Sequence, residues 1–241
     1  MFEKLDLLYN NFFEENLIHP ISGVVANLNK RFATKIAIGD NYLKSDRKLL
    51  FISLDIGIDE FQNENKFQSY QERKVRALNE DLSNKNPHMA GVYGTALYSL
   101  KDQNNWNNEW KIFADTNKFF RESINHNANS LPKNVLSYIS LINFYSFVTI
   151  GRQERTGNND RFFMNEKSEI KLLINIINTI SPDIIIVQSK SLKYHFNYIK
   201  NEIDNKIDIY IGYHPSVFGR GIKYRKPKLY IEDLINNGKI K

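Results

Sequence analysis

Residues 49–54 read LLFISL, a run apolar at almost every position that stops at Asp55-Ile56-Gly57. A segment this short and this continuously apolar suits a strand buried on both faces, as in the middle of a parallel sheet. Residues 207–212, IDIYIG, form a comparable run that stops just before His214-Pro215-Ser216, and residues 182–187 form another. The stretch 135–148, VLSYISLINFYSFV, is apolar too and is interrupted by Asn143. Between these runs lie helical patterns, over residues 2–18, 68–82, 106–124, 165–180 and 191–203, and Pro227 suits the first turn of a last helix. Within 89–100 the small residues Ala90, Gly91, Gly94 and Ala96 permit close approach to a neighbour or ligand. Strands alternating with helices predict an α/β protein, here a three-layer α/β/α sandwich around a short, mainly parallel four-stranded sheet.

That architecture directs attention to the strand ends. In open α/β sheets the carboxyl ends of the strands line the ligand crevice, so Asp55 and His214 are expected to face one pocket. A carboxylate and an imidazole together are the minimum set for acid, base or electrostatic chemistry. Each residue also has a plainer reading. An Asp after a strand caps a turn or a helix, and a lone His is as often structural.

Bulk properties narrow the field. At 241 residues the chain suits one domain, with an N-terminal helix and irregular extension over 1–47, a core over 48–225 and a C-terminal helix over 226–241. The absence of cysteine excludes disulfides, a thiolate nucleophile, Cys-ligated zinc and iron–sulfur clusters, and it is compatible with a reducing cytoplasm. The acidic start lacks the features of a secretion signal, and no window approaches the ~18 apolar residues of a membrane span. Lys and Arg number 33 against 27 acids, a net charge of +6. Such an excess favours a polyanionic partner such as DNA, although an ordinary solvated basic surface gives the same count. The phosphate-binding glycine loop of nucleotide enzymes is missing.

Four segments, in this order, resemble the uracil-DNA glycosylase superfamily: SLDIG at 53–57, PHMAGVYGTAL at 87–97, LIN at 141–143 and HPSVFGRG at 214–221. The resemblance spans about residues 48–225, and the His-Pro-Ser at a strand end is its most specific part. It implies a cofactor-independent DNA glycosylase in which Asp55 and His214 are catalytic and Asn143 reads the base edge. A stacking partner for the flipped base would come from His88, Met89 or Tyr93. Ser216 and Phe218 would enter the minor groove, and Arg220, Arg152, Arg155 and Lys190, with the basic run 223–228, would meet phosphates. Where the uracil-specific branch follows its Asp with Pro and a Tyr that blocks 5-substituted pyrimidines, this chain has Ile56 and Gly57. A glycine there is expected to leave room in the pocket.

The wider pocket implies a bulky modified pyrimidine, with antiviral glycosylases that remove glucosylated hydroxymethylcytosine from phage DNA as the precedent. Uracil excision in repair is the alternative substrate, and a non-catalytic DNA-binding module of the same fold is the alternative role. With no clearly placed lysine nucleophile, simple hydrolysis to an abasic site is expected. The chain is expected to act as a cytoplasmic monomer.

Overall fold

The computed structural model describes residues 1–16, 31–54, 70–83, 85–117, 119, 132–149, 166–216 and 226–240. In chain order the elements are α1 (Phe2–Glu15), β1 (Arg31–Ala33), β2 (Ala37–Ile38), β3 (Leu49–Ser53), α2 (Tyr70–Ala77), α3 (Pro87–Ser99) and α4 (Asn107–Thr116). They continue with β4 (Ile139–Asn143), β5 (Phe147–Thr149), α5 (Glu166–Ile180), β6 (Ile184–Val187), α6 (Lys193–Ile199), β7 (Asp208–Ile211) and α7 (Lys226–Asn236).

The main sheet has five strands in the order β2-β4-β3-β6-β7. The four strands β4, β3, β6 and β7 run parallel, and β2 joins the β4 edge antiparallel. The expected count of four strands is therefore corrected to five. The extra strand, Ala37–Ile38, is two residues long, so it carries no periodicity by which a sequence could announce it. A separate antiparallel pair joins β1 to β5. It splits the apolar stretch 135–148: a 3-10 turn at Val135–Tyr138, then β4 ending at Asn143, then β5.

Alternation along each strand divides the core in two. From β3, Leu50 and Ile52 pack with Leu5, Phe12 and Phe13 of α1, Ile176 and Ile177 of α5, and Phe196 of α6. Leu49 and Phe51 face the other way, onto Met89 and Val92 of α3, Phe113 of α4, and Tyr230 and Ile231 of α7. Helices thus cover both faces of the sheet. Among the described residues, no helix is long and apolar enough to cross a membrane.

One contact in this packing fixes the region where the strands end. Helix α3 starts at Asn86, whose side-chain oxygen accepts the backbone N–H of His88 at 2.8 Å, with Pro87 supplying a preset first turn. Further along the helix, Gly91 lies so close to the loop after β7 that a Cβ there would stand 2.6 Å from Cβ and 2.8 Å from Cγ of Pro215. Only the lack of a side chain lets the helix and the loop meet. Replacing Gly91 with Ala is expected to destabilise the protein by about 1–3 kcal/mol, as overpacking does. Urea denaturation measures the loss, and shifted resonances of Pro215 and His214 would show that the loop has been pushed away.

Candidate active site at the carboxyl edge of the sheet

The alternation that builds the α3 side of the core also selects which side chains crown it. Phe51, Leu141 and Ile186 point to that side. Two residues further on, at the carboxyl ends of three neighbouring strands, come Ser53, Asn143 and Gln188, and a period of two places all three on the side of α3. Ser53 and Asn143 are partners in the parallel register, and the ladder runs on past Val187, where the Gln188 N–H donates to the Ile52 carbonyl at 2.8 Å.

Three of the side chains there close a triangle. The Ser53 hydroxyl donates to Gln188 Oε1 at 2.7 Å, and His88 Nε2 lies 2.8 Å from the same oxygen and 3.3 Å from Ser53 Oγ. Because that oxygen can only accept, His88 carries a proton on Nε2. Gln188 is completely buried, and its amide nitrogen donates to the Tyr230 hydroxyl at 3.4 Å. A buried amide needs such partners, since leaving it unsatisfied costs about 1–3 kcal/mol.

His214 lies against this triangle. Its ring stacks on that of His88, with centroids 4.6 Å apart and planes inclined by 21°. The Ser216 backbone N–H donates to His214 Nδ1 at 3.2 Å, and the Ser216 hydroxyl lies 2.7 Å from the same atom. A backbone N–H can only donate, so Nδ1 is an acceptor and the proton of neutral His214 sits on Nε2. Burial, with the nearby His88 as the smaller cause, pushes its pKa down from 6.5 to about 3. At neutral pH His214 is thus an uncharged hydrogen-bond donor through Nε2.

Asn143 completes the cluster. It is 3 % exposed, and among the described residues its Nδ2 has no hydrogen-bond partner. Native proteins leave few buried donors unpaired, and an unpaired one at a strand end in a polar cluster is suited to a ligand.

The residues singled out in the sequence fall into three groups. His88, Asn143, His214 and Ser216 come together at this edge. Met89 and Tyr93 belong instead to the core on the α3 side, and the Tyr93 hydroxyl donates to the Pro132 carbonyl at 2.8 Å. Lys190 stands beside the cluster, its Nζ 3.8 Å from the ring centroid of Tyr213. Asp55, Gly57, Arg152, Arg155, Phe218 and Arg220 lie outside the described residues.

Ser53, Gln188 and Tyr230 are not among the residues that sequence reasoning singles out. A signal for two of them exists in the sequence: each continues the period-two spacing of an apolar strand by one step, Ser53 after Phe51 and Gln188 after Ile186. Among the described residues, no group of three or more His, Asp and Glu side chains is placed to hold a metal ion.

Comparison of the chain with family models, curated proteins and solved structures finds no match.

The partly buried setting of His214 gives a direct expectation for its titration. By nitrogen NMR its imidazole stays neutral, protonated on Nε2, from pH 8 down to about pH 4, and takes up a second proton only near the value of about 3. Replacing His88 with Ala raises that value while leaving it below 6.5, because burial is the larger cause. The unfolded chain binds this proton near 6.5 and the folded chain does not, so His214 lowers stability as pH falls through the window between 6.5 and about 3. A His214 that titrates near 6.5 in the folded protein would contradict the geometry.

Proposed function

We propose that the chain is a monofunctional DNA glycosylase that hydrolyses the N-glycosidic bond of a flipped pyrimidine and leaves an abasic site. The observation that carries this reading is the pairing, at one sheet edge, of a neutral donor with an unpaired amide: His214, protonated on Nε2, and Asn143, whose buried Nδ2 has no partner among the described residues. Motif order supports it, because the strand that ends at Ser53 leads directly into Asp55.

The chemistry follows from those groups. A base stacked in a duplex is out of reach, so the nucleotide must leave the helix, at a cost of a few kcal/mol. Asn143 offers a donor and an acceptor to the pyrimidine edge and selects the base. As the bond from C1′ to the base nitrogen breaks, positive charge develops on the sugar and negative charge on the base. His214 donates its Nε2 proton in a hydrogen bond to the base carbonyl oxygen that gains this charge. The Asp55 carboxylate orients a water molecule, whose oxygen bonds to C1′ as the bond to the base breaks, and the proton that this water gives up balances the one that the released base anion takes up. A neutral donor suits this role, because it stabilises the departing anion with no prior change of protonation state.

The substrate proposed is a pyrimidine enlarged at its 5-position, such as a glucosylated hydroxymethylcytosine in phage DNA, because the sequence has Gly57 where the uracil-specific branch that it resembles carries a blocking Tyr. Removal of that base would serve antiviral defence.

Mass spectrometry of bases released from unmodified, uracil-containing and hypermodified phage DNA tests the proposal. The modified cytosine is expected to be released. Asp55→Asn lowers turnover by about 10²–10⁴-fold, and His214→Ala by about 10²–10³-fold, with DNA binding retained in both. Release of uracil alone would overturn the substrate assignment. Release of no base from any DNA would overturn the enzymatic reading and leave a non-catalytic DNA-binding module.

A further inference from the structure

Three tyrosines that serve neither the core nor the catalytic cluster lie close together in the chain. Tyr194, Tyr198 and Tyr213 are 81 %, 56 % and 61 % exposed. A tyrosine normally buries most of its ring, so three exposed rings within one short segment need a reason.

Their placement is ordered. The 3-10 turn Lys190–Leu192 passes into α6 without a break, Leu192 and Lys193 both having right-handed helical backbone angles. Along this continuous stretch Leu192, Phe196 and Ile199 are buried, and Lys190, Tyr194 and Tyr198, four residues apart, lie on the opposite side. Eight residues at 1.5 Å each make the stripe about 12 Å long. Its first member, Lys190, holds its Nζ 3.8 Å from the ring centroid of Tyr213, which adjoins His214 in sequence. The exposed rings therefore begin at the rim of the candidate active site and lead away from it along α6.

Charge agrees with shape. Residues 189–200, SKSLKYHFNYIK, contain three lysines and no acid. Exposed aromatic faces interleaved with cations are how proteins hold unpaired nucleic acid, since every base has a face to stack and every phosphate a charge to meet. Rings standing up from a convex helix cannot reach bases that are stacked and paired inside a duplex.

We propose that Tyr213, Tyr194 and Tyr198, with Lys190, form a stacking platform for the bases that neighbour the flipped nucleotide, so that the substrate is single-stranded or locally unpaired DNA. The inference rests on the glycosylase reading for the identity of the site it adjoins, while the platform itself is testable by binding alone.

Fluorescence anisotropy with a labelled thymidine oligonucleotide, free and annealed to its complement, provides the test. Tyr194→Ala, Tyr198→Ala and Tyr213→Ala are each expected to weaken single-strand binding roughly tenfold, with duplex binding changed less than twofold. Tyr→Phe at the same positions restores single-strand affinity, because stacking needs the ring and not the hydroxyl. Lys190→Ala reduces the slope of log affinity against log salt by about 0.7 for the single strand. The rings are exposed, so the variants should keep the wild-type melting temperature, and Tyr194→Ala, the most exposed, serves if another does not. Equal losses on single strand and duplex, or unchanged single-strand affinity in the Ala variants, would overturn the platform. Base release by the same variants separates the two readings. Wild-type protein that releases no base, with Ala variants that still lose single-strand affinity, ends the glycosylase reading and keeps the platform. Base release from single strands that is unaltered by all three Ala changes does the reverse.

Discussion

The side-chain amide of Gln188 is the constraint on which the carboxyl edge of the sheet depends. It is fully buried, where bulk water does not satisfy it. Its oxygen takes Ser53 and His88, from β3 and α3, and its nitrogen takes Tyr230, from α7. A strand, its neighbour and two helices are thereby tied to one group. Any movement of α3 away from the sheet breaks a buried hydrogen bond as well as the packing of Met89 and Val92, and in a low-dielectric interior the first of these losses is the directional one. Among the described residues the amide meets Ser53, His88 and Tyr230, and through them the polar floor of the site is tied to the apolar layer beneath it.

From that floor the state of His214 follows. The triangle presents the His88 ring face to His214, Gly91 lets Pro215 approach the helix, and Ser216 turns back to occupy Nδ1. These three contacts come from different parts of the chain and fix the position of the imidazole, its tilt and its tautomer. Burial then removes its charge. A cationic imidazole would attract an anion more strongly, but holding it here would require solvation that the site does not offer. The fold resolves that conflict in favour of a neutral donor.

Much of this was legible in the chain. Strands β3, β6 and β7 stand where continuous apolar runs placed them, and β4 lies within the longer run that Asn143 interrupts, because a buried parallel strand has almost no freedom of composition. Helix α3 begins at Asn86-Pro87, and the last helix carries Pro227 in its first turn, both readable as start signals. The edge strand β2 was not legible, since its place is set by the free edge of β4 and not by its own two residues. Within the site, His88, Asn143 and His214 stood out as residue types that carry chemistry. Gln188 and Ser53 did not, because neither is reactive by itself and their role is to hold others. Extending the alternation one step past each strand end identifies them without any motif.

His214 is the residue at which the motif order that resembles the glycosylase superfamily coincides with the polar cluster at the sheet edge. Motif order names the residue but is silent on its protonation. The packing of His88, Pro215 and Ser216 sets its protonation and tautomer but names no substrate. An uncharged donor near an amide nitrogen that has no partner among the described residues favours a ligand that is neutral when it enters and negative when it leaves. A ligand charged throughout would be better held by a cation, and one never charged would gain little from a donor pre-set on one ring nitrogen. A pyrimidine leaving its sugar changes charge in that sense, and this is the ground on which we propose bond cleavage and not binding alone.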